Sequence, residues 1–132
     1  MECSQQVFML SIKLGCSRNG NRTRYEYDKI DRQIKVIDPD NQVTSYAYDP
    51  VGNLLSLTDA ENNTTSYEYD LIDRLILETN QLGLTRSYQY DRASNLVSMT
   101  DRNDRTTTFS YDGLNRLTQE NWLNDGNECR NL

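Results

Sequence analysis

The chain has 132 residues, a formal net charge of −6 and a hydrophobic fraction of 36%, which indicates a single acidic domain with a modest core. It contains no histidine, which excludes Ser-His and Cys-His nucleophile pairs and every histidine metal ligand. The acidic balance argues against a nucleic-acid surface, because such a surface needs clustered Lys and Arg. Nine tyrosines argue against a disordered chain, because disordered segments are poor in aromatic residues.

Residues 1–18 form an N-terminal segment without a repeat. Its apolar run, residues 7–12, is too short for a typical signal sequence and follows Glu2 rather than a basic stretch, so we predict no export signal. Cys3 and Cys16 lie in this segment, and Cys129 lies near the C-terminus. An odd number of cysteines outside the repeats favours free thiols over a disulfide framework.

Residues 19–122 carry five copies of a 21-residue repeat, in the windows 20–40, 41–61, 62–82, 83–103 and 104–124. Each copy has an aromatic residue, then a tyrosine two positions later, then an aspartate. These residues are Tyr25, Tyr27 and Asp28; Tyr46, Tyr48 and Asp49; Tyr67, Tyr69 and Asp70; Tyr88, Tyr90 and Asp91; and Phe109, Tyr111 and Asp112. We predict that they define the structure of the repeat.

Each window predicts one β-hairpin. Residues 43–48 alternate so that Thr44, Tyr46 and Tyr48 share one strand face, and a turn of about four residues leads to a second strand at 54–58. The windows also open on turn-forming residues such as Asn41. The sequence therefore predicts an all-β fold of about ten strands, in which consecutive antiparallel hairpins form an open sheet.

A longer period of 42 residues appears at the position after each Tyr-Asp turn, which alternates between Arg and Asn. The residues are Arg32, Asn53, Arg74, Asn95 and Arg116. One explanation is that each arginine bridges to an aspartate of the adjoining turn. The other is duplication of a two-repeat ancestor.

The tyrosine stripe has two interpretations. A structural ladder between neighbouring strands is favoured, because ten aromatic positions in strict register suit a repeated structural role. The alternative is a sugar-binding platform, in which exposed Tyr46, Tyr48, Tyr67 and Tyr69 stack on sugar rings.

Carboxylates are abundant, but the repeat aspartates recur at one turn position, so we predict no catalytic residue and no enzyme activity. Residues 38–41 and 101–104 resemble fragments of calcium loops, yet they lack the glycine and final glutamate of an EF-hand. We therefore predict no metal site and no cofactor.

The last ten residues, 123–132, carry no repeat, and no stretch is long and apolar enough to span a membrane. A sheet of this kind has open edges. We predict that they pair with further repeats or with a second copy of the chain, and we predict no nucleic-acid partner.

Tyr-Asp followed by x-x-Gly-Asn-Leu or x-x-Asp-Arg-Leu, at 21-residue spacing over residues 20–121, resembles the YD repeat of bacterial Rhs and wall-associated proteins. The resemblance implies that the open sheet is curved and spiralling, as a fragment of the hollow spiral shell of Rhs polymorphic toxins, of the C component of insecticidal toxin complexes and of the teneurins. It implies a secreted or cell-surface location, and an enclosed toxin domain or glycans as partners.

Some Rhs shells cleave themselves at an Asp-Pro-x-Gly sequence, whose letters recur at residues 49–52. Here they occupy the turn of the second repeat and no further glycines lie just downstream, which favours an ordinary turn. The sequence therefore predicts a non-enzymatic structural module, a short or truncated piece of an Rhs-type shell used in toxin encapsulation or cell contact. The alternative function is a carbohydrate-binding module.

Overall fold

The structure is a computed structural model that describes residues 6–7, 10–16 and 22–123. Every regular element in these residues is a β-strand. The strands are β1 (Gln6–Val7), β2 (Leu10–Cys16), β3 (Arg22–Tyr27), β4 (Gln33–Ile37), β5 (Val43–Tyr48), β6 (Leu54–Thr58), β7 (Thr64–Tyr69), β8 (Leu75–Thr79), β9 (Thr85–Tyr90), β10 (Leu96–Thr100), β11 (Thr106–Tyr111) and β12 (Leu117–Leu123).

The strands follow one another in the sheet in chain order, and the pairings are antiparallel. The chain divides into two compact units, Met1–Ser66 and Tyr67–Leu132, with the boundary inside β7. Strands β3 to β12 are the ten strands of the repeats, so the predicted open sheet of consecutive antiparallel hairpins is confirmed. Strands β1 and β2 precede the repeats, and β2 pairs with β3.

Nine turns join β3 to β12, and all have the same hydrogen bonds. In the first, the Asp28 amide donates to the Arg32 carbonyl at 2.9 Å and the Asp31 amide donates to the Asp28 carbonyl at 3.2 Å. The residue three positions after the first residue of each turn, such as Asp31 after Asp28, has a positive φ. This explains why Gly, Asn and Asp dominate at that position. These residues are Asp31, Asn41, Gly52, Asn62, Asp73, Gly83, Ser94, Asp104 and Asn115.

A β-bulge recurs at the start of the second strand of the hairpin, and the sequence pattern did not predict it. Ala47 pairs with Ser56 and Tyr48 pairs with Leu54, so Leu55 is an extra residue in β6. Register shifts at the same repeat position occur in β4, β10 and β12. Because a bulge increases local twist, these four bulges increase the twist of the strands at the same repeat position.

The side chains of residues 22–123 contain no fully buried hydrophobic residue. The repeat tyrosines are half-buried, and Glu26, at 9% exposure, is the one buried residue in this range. Strand pairing and turn hydrogen bonds therefore carry more of the stability than they do in a domain with an enclosed core. The modest hydrophobic content of the chain agrees with this arrangement.

Candidate functional site

The first aromatic residue of each repeat lies in a cross-strand row. Tyr25 pairs with Val36, and Tyr46 pairs with Leu57. Tyr88 pairs with Met99 in the same way. Such pairs each contribute about 0.2–1 kcal/mol to the sheet. In the last repeat Phe109 pairs with Glu120, so each of these aromatic residues faces a non-aromatic side chain and the aromatic ladder stays a prediction.

The second tyrosine of a repeat ties its hairpin to the preceding one. The Tyr48 hydroxyl donates to the carbonyl of Gln33 at 3.0 Å. That carbonyl lies just before the first β4–β5 pair, Lys35 with Ser45. The Tyr111 hydroxyl donates to the Leu96 carbonyl at 2.9 Å in the equivalent way. Burial raises the pKa of Tyr48, so its hydroxyl keeps the proton that it donates at neutral pH.

The aspartate after this tyrosine organises its turn. One Asp91 carboxylate oxygen accepts the amides of Ala93 at 2.9 Å and Asn95 at 2.8 Å. The other accepts the Asn95 side-chain amide at 2.9 Å. These hydrogen bonds, the Asn95 side chain first, lower the pKa of Asp91, so it accepts as a carboxylate. Asp28, Asp49, Asp70 and Asp112 accept the equivalent main-chain amides.

A second set of turn aspartates was missed by the sequence analysis. Asp38 accepts the amides of Asp40 at 2.9 Å and Gln42 at 2.8 Å, as Asp28 does in its own turn. Asp59, Asn80 and Asp101 have the same role in later turns. The sequence signal is an Asp or Asn ten residues after each of the first four repeat aspartates. The segments compared with calcium loops, residues 38–41 and 101–104, are two of these turns.

Arginine at the alternating position joins two Tyr-Asp turns that are one repeat apart, and we call this link the turn clamp. Arg74 pairs with Asp70 of its own turn at 2.7 Å. Its Nη1 also donates to the Asp91 carbonyl at 2.9 Å and to the Ser94 hydroxyl at 3.2 Å in the next turn. Its guanidinium lies over the Tyr90 ring, 4.7 Å from the centroid.

Arg32 makes the equivalent contacts in the other unit. It pairs with Asp28 at 2.7 Å, donates to the Asp49 carbonyl at 2.6 Å, and covers the Tyr48 ring at 5.0 Å. Arg32 and Arg74 therefore bridge to the adjoining turn, as one explanation of the alternating position proposed, but the acceptor atom differs from the expected one. The acceptor in the adjoining turn is the main-chain carbonyl of the aspartate, whereas the carboxylate bonded to the arginine belongs to its own turn.

Asparagine at the alternate position also reaches the next turn. The Asn95 side-chain amide donates to Asp91 and to the Asn115 side-chain oxygen, both at 2.9 Å. Arg and Asn thus provide two chemically different links between neighbouring turns, one through a main-chain carbonyl and one through a side chain.

One charged cluster departs from the repeat. Glu78 occupies the position held by Val36, Leu57 and Met99 in three other repeats, and the fifth repeat has Glu120 there. It pairs across the strands with Arg86, whose Nη1 lies 3.6 Å from its carboxylate, and it bonds Arg102 of the β10–β11 turn. The Glu78 side chain is only 15% exposed.

The cluster contains the one buried side-chain polar atom without a hydrogen-bond partner in the described residues, Nε of Arg102. Its neighbour Tyr67 has a raised pKa because of burial and the Glu78 charge. The sequence analysis missed the cluster. The signal in the sequence was three charged residues at positions where most other repeats have uncharged ones. Besides Glu78, Arg86 replaces a threonine and Arg102 replaces Pro39 or Ala60.

The four tyrosines predicted to stack on sugars are all half-buried. One face of the Tyr48 ring is covered by Arg32. Tyr46 pairs with Leu57, and Tyr67 lies beside Glu78. Part of each ring remains open to solvent.

The turn tips beyond the repeat aspartates are apolar and exposed. In the first unit they carry Ile30 and Val51, and in the second Ile72 and Leu114, each two residues after its aspartate. Within the described residues, no three His, Cys, Asp or Glu side chains are grouped to hold a metal ion. The described segments also include no helix that could cross a membrane. Cys3 and Cys129 lie outside the described residues.

A family model described as RHS Repeat matches four overlapping stretches, residues 27–64, 48–80, 69–104 and 90–121. The chain belongs to the RHS repeat family. Each match begins at a repeat tyrosine, Tyr27, Tyr48, Tyr69 or Tyr90, and includes the turn aspartate and the Arg or Asn that bonds it. The four matches therefore include the residues of these turns. No curated protein matches the chain.

Solved structures with the same fold include complexes of TcdB2 and TccC3. The crystal structure of TcdB2-TccC3-Cdc42 has a TM-score of 0.68 at 16% identity, over 86% of this chain and 8% of that one. The crystal structure of TcdB2-TccC3 has a TM-score of 0.68 at 15% identity, over 88% and 8%. The Photorhabdus luminescens Tc holotoxin pore with a mutated TccC3 has a TM-score of 0.64 at 15% identity, over 86% and 8%. This chain therefore spans about 8% of the length of the chains that it matches, and the likeness concerns the fold.

Proposed function

We propose that this RHS repeat chain is a non-enzymatic structural module that builds part of an Rhs-type shell wall. Its role is toxin encapsulation or cell contact, in a bacterial protein that is secreted or held at the cell surface. Residues 19–122 are the wall-forming part, with residues 1–18 and 123–132 as flanks.

The turn clamp carries this proposal. Arg32 and Arg74 each join one turn to the next, and Tyr48 and Tyr111 each join one hairpin to the preceding one. The repeat-defining side chains are thus used to connect neighbouring units. A repeat whose polar groups bind the next copy is suited to building an extended wall, because each unit supplies the docking surface for another.

Because each repeat supplies a docking surface for another, we expect the chain to associate through a sheet edge. Strand β12 is the last strand in the described part of the chain, and it pairs there with β11. Its Leu117 and Trp122 are 53% and 59% exposed. An exposed strand edge with apolar side chains is a surface for pairing with another strand.

Sedimentation velocity over a range of concentrations tests this proposal. We expect the wild-type chain to associate as its concentration rises, and we expect the exposed substitutions L117K and W122K to weaken that association. The matched control is L82K at an exposed turn tip, which should leave association unchanged. A wild-type chain that stays monomeric at high concentration would contradict the proposal.

The second candidate is carbohydrate binding, favoured by the partial exposure of Tyr46 and Tyr67 on strands β5 and β7. A glycan array tests it directly. Binding that is lost in Y46A or Y67A, and kept in the conservative variants Y46F and Y67F, supports stacking on these rings. An array without any hit excludes this candidate for the sugars that it presents.

A further inference from the structure

A chain of near-identical hairpins has more than one way to pair its strands. The cross-strand pairs Val36–Thr44, Leu57–Thr65 and Met99–Thr107 are each an apolar residue opposite a threonine. If one whole repeat were left out of the sheet, a strand would pair with the strand equivalent to its native partner, 21 residues further along the chain. Every side chain would then keep its face of the sheet, because equivalent positions would meet. The longer loop costs little, because closure entropy grows slowly with loop length.

Glu78 and Arg86 break this equivalence. They occupy the positions of Leu57 and Thr65, and they face each other across β8 and β9. If β6 paired with β9 instead, Leu57 would face Arg86. Arg86 would then stay in the sheet without its carboxylate partner, because Glu78 lies in the omitted repeat. A charge left half-buried and unpaired is strongly unfavourable.

We propose that Glu78, Arg86 and Arg102 form a register lock, which makes β8 and β9 recognise each other among interchangeable repeats. Arg102 extends the lock beyond this pair, because it reaches Glu78 from the β10–β11 turn, 24 residues away. A skipped pairing of β8 with β11 would place Glu78 opposite Thr107 and lose the Arg86 contact. A skipped pairing that separates β8 from β9 therefore breaks the Glu78–Arg86 ion pair, whereas native pairing satisfies it.

The first unit contains a second charged group of the same kind, on strands β3 and β4. Glu26 pairs across the strands with Lys35, and its carboxylate lies 2.7 Å from Arg24 and 3.8 Å from Lys35. Leaving out one repeat would place Ser56 opposite Glu26 in place of Lys35. Glu26 and Glu78 thus each have a cation on the opposite strand only in the native register, although Arg24 lies on the same strand as Glu26 and stays beside it in either register.

A disulfide reporter detects the skipped register. Ser56 pairs with Ala47 and Ser66, and Ser87 pairs with Leu77 and Thr100, so Ser56 and Ser87 are not partners in the native sheet. In the skipped pairing of β6 with β9 they face each other. Cysteines then form a disulfide only when their Cα atoms come within about 7 Å. The reporter chain carries S56C and S87C, with its three native cysteines replaced by serine.

The lock is removed with E78L, R86T and R102Q, each of which introduces the residue that another repeat has at the same position. After refolding under oxidising conditions, we expect the skipped-register disulfide to rise at least about tenfold over the chain with an intact lock. A matched reporter, L77C with S87C, reports the native pair and should form in both chains. An unchanged yield of the skipped disulfide would overturn the proposal.

A charge-reversed lock keeps the test decisive if the first variant folds poorly. E78R alone places like charges together, so the skipped disulfide should increase. E78R combined with R86E and R102E restores opposite charges, and the yield should return to the level of the intact lock. If the restored chain keeps the high yield of E78R, charge pairing does not select the register and the proposal is wrong.

Discussion

Arg74 offers a direct measure of how much the link between successive turns contributes to stability. The substitution is R74N, because asparagine occupies the equivalent position in two other repeats as Asn53 and Asn95. Asn95 bonds the aspartate of its own turn at 2.9 Å, so an asparagine at 74 is expected to keep the bond to Asp70. What it loses is the bond of the guanidinium to the Asp91 carbonyl and its contact with the Tyr90 ring.

The magnitude follows from the lost contacts. Arg74 donates to the Asp91 carbonyl at 2.9 Å, and a hydrogen bond from a charged donor contributes about 1.5–3 kcal/mol. Its contact with the Tyr90 ring at 4.7 Å adds about 0.5–1 kcal/mol at a partly exposed site. Ordering the long side chain offsets part of this gain, so we expect R74N to lower the free energy of unfolding by about 2 kcal/mol.

The matched control is R116N, which changes the net charge equally. Arg116 pairs with Asp112 at 2.7 Å, but its side chain is 73% exposed, whereas that of Arg74 is 23% exposed. An exposed ion pair contributes little, so R116N should cost less than about 0.5 kcal/mol. Urea unfolding followed by far-UV circular dichroism measures both variants. Equal losses within about 0.3 kcal/mol would refute the argument that the link between turns is stabilising.

Two further predictions concern the turns. Ser94 has a φ of 67°, where asparagine is better tolerated, so S94N should raise the free energy of unfolding by about 0.5 kcal/mol. Gly83 has a φ of 74°, so G83S should lower the free energy of unfolding by about 1 kcal/mol. A decrease for S94N or an increase for G83S in urea unfolding would contradict this. The Arg105 side chain, followed by the Asn103 amide, lowers the pKa of Asp101 to about 2. Because the folded pKa is depressed below an unfolded value of about 3.9, the stability that Asp101 contributes is present above pH 4 and lost as the pH falls towards 2. Circular dichroism against pH should therefore show acid unfolding, with a smaller loss in D101N, and a flat profile from pH 5 to 2 would contradict it.

The strands and turns were predictable because their causes are local. Alternation between Thr, Ser and Tyr specifies a strand such as β7, and a residue that tolerates positive φ, such as Asn62, specifies the turn before it. The second set of turn aspartates was equally local but went unrecognised. Asp38 and Asp101 lie ten residues after Asp28 and Asp91, a spacing that the 21-residue frame hid.

The amino-acid sequence by itself determined the 21-residue Tyr-Asp frame, the family and the hairpin as the repeating unit, since each depends on residues within one window. Only the tertiary structure decided what the repeated side chains contact. Arg32 reaches a carbonyl 17 residues away, and Arg102 reaches Glu78 across 24 residues. Such partners depend on strand register and on a bulge that recurs in four of the five repeats. Both are set by pairing between strands rather than by any single strand.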